Sequence, residues 1–167
     1  MARYDALEDC KLCSGQLNCL SVAVVKNITV NLRKGEINFL LFVDEITEAD
    51  SEKITARYVF SENEFFFGGH FPEYPVVPGV ILIETMAQSG GAGLRKLGLL
   101  GDNALFFLAT VDKAKFRRQV KPGDEVRCEI VNLRISANMI RQAGKAFVGN
   151  ELAAEAEWMC VVGKADF

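Results

Sequence analysis

From Val80 to Leu97 the chain has no proline and is apolar almost all round, with Glu84 and Gln88 as the polar residues of its first half. A helix without a polar face is stable in water only when other elements enclose it. Gly90, Gly91 and Gly93 lower its intrinsic propensity but let neighbouring backbone come close, and the helix is expected to fade toward Gly98. Whatever else the chain does, it must wrap this segment.

The flanks supply the wrapping. Phe39 to Ile46 is a short apolar run, and Lys53 to Phe60 alternates Ile54, Ala56, Tyr58 and Phe60 with other residues, so both read as strands. After the helix, Ala104 to Phe116, Glu125 to Ala137, Gln142 to Val148 and Leu152 to Val162 are β-rich, with turn signals at Pro122-Gly123, around Asn138 and at Gly149-Asn150. Strands, one buried helix, then more strands predict an α+β fold, an antiparallel β-sheet wrapped around one long central helix. Phe65 to Gly79, rich in Phe, Gly and Pro, must be a shaped loop.

A chain of 167 residues fits one domain. The organisation expected is an N-terminal segment over residues 1–35 and a folded domain over 36–167. Within the first segment, Leu20, Val24, Ile28 and Leu32 keep helical spacing, whereas Val22, Val24, Ile28 and Val30 suit a strand, and the two readings stay open. The five cysteines, Cys10, Cys13, Cys19, Cys128 and Cys160, make neither a disulfide framework nor a four-ligand metal site, so reduced thiols are expected. A net charge of −3 disfavours nucleic acid as a partner. No apolar stretch approaches the ~20 residues of a membrane span, and Asp5, Glu8 and Asp9 stand where a secretory signal needs positive charge. These features predict a cytoplasmic protein.

His70 is the only histidine, and it lies in a Gly-Gly-His-Phe-Pro loop just before the buried helix. An imidazole suits a general base near neutral pH, and the flanking glycines let a substrate approach. A histidine satisfying only a local hydrogen bond is the alternative. Glu84 is the second candidate, because a carboxylate in an apolar helix must find a partner or become protonated, and a protonated carboxyl can act as a general acid. Here the alternative is a hydrogen bond to Gln88 on the next turn, or exposure at the helix surface. Third, Pro78 and Gly79 open the helix and leave backbone N–H groups at its positive end, where they could polarise a carbonyl.

The stretch from Gly69 through His70, Phe71, Pro72, Pro78, Gly79 and Val80 to Glu84, continued by Thr85-Met86-Ala87-Gln88, resembles the Z-type 3-hydroxyacyl-ACP dehydratase family of fatty acid synthesis. Val111 to Arg118 with Pro122-Gly123-Asp124, and Ala154 to Glu157 with Met159-Cys160, resemble it too, so the similarity runs from about Phe39 to Val162. The related A-type enzyme, which also isomerises the double bond, has aspartate at the position of Glu84 and cysteine at that of Val80.

The resemblance implies a hot-dog fold, homodimers commonly assembled as trimers of dimers, and dehydration of (3R)-3-hydroxyacyl-ACP to trans-2-enoyl-ACP. It implies His70 as base, Glu84 of the partner subunit as acid and the Gly79 N–H on the thioester carbonyl. Val80, Phe71, Val77 and Gln88 would also contact substrate, and no metal or organic cofactor is implied. A cis peptide bond between His70 and Phe71 is a further implication. Acyl carrier proteins are acidic, so Lys113, Lys115, Arg117, Arg118 and Lys121 are the expected docking residues. The rival readings are a dehydratase of a polyene or polyketide pathway, a hot-dog acyl thioesterase, and a non-catalytic acyl-binding subunit.

Overall fold

The computed structural model describes residues 41–71, 73–100 and 104–164. Its elements follow in the order β1 (Glu45–Ala49), β2 (Lys53–Val59), α1 (Gly79–Lys96), β3 (Ala104–Phe116), β4 (Glu125–Ile135), β5 (Met139–Val148) and β6 (Glu151–Lys164). The strands form one six-stranded sheet in the order β1-β2-β4-β5-β6-β3, with every neighbouring pair antiparallel. Helix α1 packs against all six strands, so the expected α+β wrapping is what the chain adopts. No helix among the described residues is long and apolar enough to cross a membrane.

Small residues let the helix lie close. Across the sheet, Ala56, Cys128, Ala146 and Ala154 stand opposite one another on β2, β4, β5 and β6, all buried. The next row is Ile54, Ile130, Gly144 and Ala156. From the helix side, a Cβ on Gly93 would sit 2.5 Å from Ile54 Cγ2, and one on Gly90 would sit 2.3 Å from Gln142 Oε1. Real Cβ contacts do not come so near, so these two glycines set the helix-to-sheet distance. Gln142, itself buried, accepts a hydrogen bond from Trp158 Nε1 at 3.2 Å and donates to Asn132 Oδ1 at 2.7 Å.

The first apolar run differs from expectation. Phe42 and Val43 are buried, but the strand begins only at Glu45. The Phe42 N–H is satisfied by a side chain of the helix, Gln88 Oε1 at 2.8 Å, and so has no need of a ladder. β5 is longer than expected, starting at Met139, because Ser136 closes the preceding turn by bonding the Met139 carbonyl through both its N–H and its hydroxyl, each at 2.9 Å.

The outer face carries charge in register. Glu129, Lys145, Glu155 and Lys115 form one cross-strand row over β4, β5, β6 and β3, with signs alternating. Such a face is well solvated, and each exposed pair contributes at most about 1 kcal/mol. β3 carries a bulge between Asp112 and Lys115, where Lys113 takes a left-handed φ of 54°.

Cys128 and Cys160 face the helix as free buried thiols, and burial pushes each up to about 12, with the nearby charge of Glu84 adding to the effect at Cys160. The thiolate is the reactive form. Iodoacetamide at pH 8 should therefore leave both unmodified in the folded protein and label both in denaturant, as peptide mass mapping would read. Labelling of either in the native state would contradict this packing. Cys10, Cys13 and Cys19, like the whole segment 1–35, lie outside the described residues.

Candidate active site

The loop that carries His70 is built on aromatic packing. Phe42, Tyr58, Phe60 and Phe66 interlock with ring centroids 4.9 to 6.3 Å apart, and Phe65 and Phe67 flank Phe66. Glu64 Oε1 anchors the loop start, accepting from Tyr58 Oη at 2.9 Å, Ser61 Oγ at 3.2 Å and Ser61 N at 3.3 Å. Burial, followed by the Glu64 hydrogen bond, raises the Tyr58 phenol, which keeps it a donor. The Phe66 carbonyl then accepts from Gly69 N at 3.2 Å and His70 N at 2.9 Å. His70 is thereby fixed relative to the core.

The peptide bond between His70 and Phe71 is trans, like every bond among the described residues, which corrects the expected cis bond. The chain turns instead through Phe71, whose φ of 51° is left-handed. A bulky residue there costs about 1–3 kcal/mol, and the turn is held by Tyr74 N donating to Phe71 O at 2.7 Å. The His70 and Phe71 rings lie 4.4 Å apart.

Helix α1 starts at Gly79 with Pro78 as N-cap, without a side-chain cap and without an acidic residue in its first turn. Its positive end is therefore open to a ligand. A cleft of about 510 Å³ brings that end together with His70; Gly79, Val80, Leu82, Val77 and Val120 form much of its wall, with Phe116 at the end of β3. Val80 is 72% exposed. Gly79 and His70 thus line one cleft.

Glu84 is not part of that wall. Its Oε1 accepts from Gln88 Nε2 at 2.8 Å, the alternative that the sequence left open. Gln88 is buried and its Oε1 is taken by the Phe42 N–H, so its amide can present only Nε2 to Glu84. One backbone donor therefore orients the carboxylate through Gln88. Among the expected substrate contacts, Val77, Gly79 and Val80 line the cleft, whereas Phe71 and Gln88 do not. Val76 and Leu82, beside the expected residues in sequence, also line the cleft, and Phe116, Gln119 and Val120 join it because folding carries the end of β3 to the helix start.

Four of the five expected docking cations divide between two clefts. Arg117 and Arg118 line the His70 cleft, while Lys113 and Lys115 line a second cleft of about 580 Å³ on the outer sheet face. Lys113 pairs with Glu157 at 2.6 Å, Lys115 with Glu155 at 3.6 Å, and Arg117 with Glu155 at 2.7 Å. Arg118 pairs with Glu151 at 2.6 Å and Asp124 at 3.2 Å. Lys121 lies 5.8 Å above the Tyr74 ring. The Arg117 and Lys113 hydrogen bonds hold the Glu155 and Glu157 carboxyls below their ordinary values.

Residues 36–157 match the family model of the FabA-like domain. The chain is 45% identical over 126 residues to the 3-hydroxyacyl-[acyl-carrier-protein] dehydratase FabZ of Desulforamulus reducens, covering 74% of this chain and 87% of that protein. It is 45% identical over 123 residues to the FabZ of Pelotomaculum thermopropionicum, covering 73% and 87%. Among solved structures, the dehydratase heterocomplex ApeI:P of Xenorhabdus doucetiae aligns with a TM-score of 0.65 at 14% identity, over 77% of this chain and 87% of that one. A thioesterase of Haemophilus influenzae aligns with a TM-score of 0.53 at 15% identity, over 72% and 78%. The structural likenesses establish the hot-dog fold, and the sequence matches go further: the chain belongs to the FabA-like family and to its FabZ 3-hydroxyacyl-[acyl-carrier-protein] dehydratases.

Proposed function

We propose that this chain dehydrates (3R)-3-hydroxyacyl groups carried as thioesters on acyl carrier protein, giving trans-2-enoyl thioesters for fatty acid biosynthesis. The observation that carries the reading is His70 in one cleft with an uncapped helix N-terminus. The Gly79 N–H donates to the thioester carbonyl oxygen, so charge developing there on proton loss meets a fixed donor. His70 takes the proton from carbon 2. The electron pair of that bond forms the double bond to carbon 3 as the bond from carbon 3 to oxygen breaks, and a protonated Glu84 gives its proton to the departing hydroxyl, which leaves as water. Solvent exchange then returns the proton from His70 to the carboxylate.

In this reading the acid is Glu84 of the partner subunit, and the active form is a homodimer, assembled further as a trimer of dimers. The position of Glu84 outside the wall of its own chain's His70 cleft supports that division. The direct test is a panel of 3-hydroxyacyl-ACP substrates of graded length, one of them a conjugated polyene. Enoyl thioester absorbance should appear without release of free thiol; thiol release instead would mean hydrolysis, and the best chain length would separate primary from specialised synthesis.

The carrier docks, in this reading, on the cations beside the cleft. Arg117 and Arg118 border it, while Lys113 and Lys115, farther back on β3, line the outer-face cleft and Lys121 lies over the Tyr74 ring. Exchanging Lys115 and Arg117 for glutamate should raise KM for carrier-bound substrate several-fold, chiefly by slowing encounter, and leave a small thioester analogue unaffected. Because both cations now balance Glu155, part of the effect should persist when Glu155→Gln is added. Equal losses on the two substrates would refute the docking role.

A further inference from the structure

We infer that Phe116 is a specificity-determining residue, the wall that restricts this site to acyl thioesters without a branch on the carbon that loses its proton. The inference rests on the dehydration reading and deepens it. On the inner sheet face the cross-strand row of small residues, Ala56, Cys128, Ala146 and Ala154, ends at Phe116 on the edge strand. After four small side chains, one large ring closes the row beside the helix start.

The ring is seated against backbone. A Cβ on Gly79 would lie 2.8 Å from Phe116 Cε1 and 3.0 Å from Cζ, so the ring occupies the volume a side chain at position 79 would need. Glycine at 79 is thus required by Phe116 as well as by an approaching carbonyl. The adjacent Arg117 N–H donates to Ala153 O at 2.7 Å and fixes the strand end, and Phe116, 53% exposed, lines the cleft that also holds His70. A thioester held by its oxygen at the Gly79 N–H and by its carbon 2 at His70 has its carbon 2 within this cleft. On a linear acyl chain both substituents there are hydrogens, and one leaves as the proton. A methyl in place of the other must find room against the wall, and a rigid aromatic seated on backbone does not yield. Misfit of a single methyl in such a pocket is worth roughly 10- to 200-fold in kcat/KM.

The test compares 3-hydroxybutyryl and 2-methyl-3-hydroxybutyryl thioesters of N-acetylcysteamine. Wild type should favour the unbranched substrate by about tenfold or more. Phe116→Ala should bring the two within about threefold, and Phe116→Leu should fall between; if the alanine variant does not fold, the leucine variant decides. A wild type without preference, or a ratio unchanged in the folded variants, overturns the inference while leaving the dehydration reading intact. A wild type that dehydrates neither substrate, on this or on carrier protein, removes both.

Discussion

Mixing separately inactive His70→Ala and Glu84→Gln proteins should restore about a quarter of wild-type dehydratase activity once subunits exchange. Each single variant is expected to lose roughly 10²- to 10⁴-fold in kcat, the usual contribution of a positioned acid or base. If each site joins His70 of one subunit to Glu84 of the other, a mixed dimer concentrates both lesions in one site and leaves the second whole. Random exchange makes about half of the dimers mixed, and half of their sites are intact. The structural ground is that His70 and the open helix end share a cleft whose wall Glu84 does not enter, its carboxylate being held by Gln88. Were both groups drawn from one chain, every site would keep a lesion, and exchange verified by native mass spectrometry would restore nothing.

Neighbouring glycines of the helix should respond to alanine with opposite signs. Gly→Ala inside a helix ordinarily stabilises by up to about 1 kcal/mol. At Gly91 a Cβ would meet the Phe106 ring at 3.7 Å, an ordinary contact, so Gly91→Ala should be neutral or stabilising. At Gly90 the Cβ would lie 2.3 Å from Gln142 Oε1 and 2.7 Å from its Cδ and Nε2. The amide must move, and it is the acceptor for Trp158 and the donor to Asn132. Overpacking costs about 1–3 kcal/mol, and each buried group left without its hydrogen bond costs about 1–3 kcal/mol more. These terms exceed the helix-propensity gain, so Gly90→Ala should lose about 2–4 kcal/mol, a fall in Tm of roughly 5–15 °C. Urea unfolding monitored by Trp158 fluorescence measures both variants, and equal midpoints would contradict the close helix-to-sheet packing.

Much of this protein was legible before folding was considered. An apolar helix without a polar face, flanked by alternating segments, admits few arrangements other than a sheet wrapped on a helix, because periodicity is a local property of the chain. The limits of β3 were read to the residue for the same reason. That His70 and Gly79 come to line one cleft was legible because both lie in one short segment, and a loop running directly into a helix keeps its members together.

What sequence did not yield depends on contacts between distant segments. The Phe42 run reads as strand by composition, yet its N–H goes to Gln88, forty-six positions along, and the ladder begins later. Phe116 reads as the end of a strand, and only sheet order places β3 at the edge where its last ring reaches the helix start. The turn at His70 could be made by a cis bond or by a left-handed residue, and the packing of the loop takes the second at Phe71. Local pattern thus determined which elements form and where the candidate reactive groups lie along the chain. Tertiary structure decided which distant side chains close the site and satisfy its backbone, because burial and hydrogen bonding are settled between segments rather than within them.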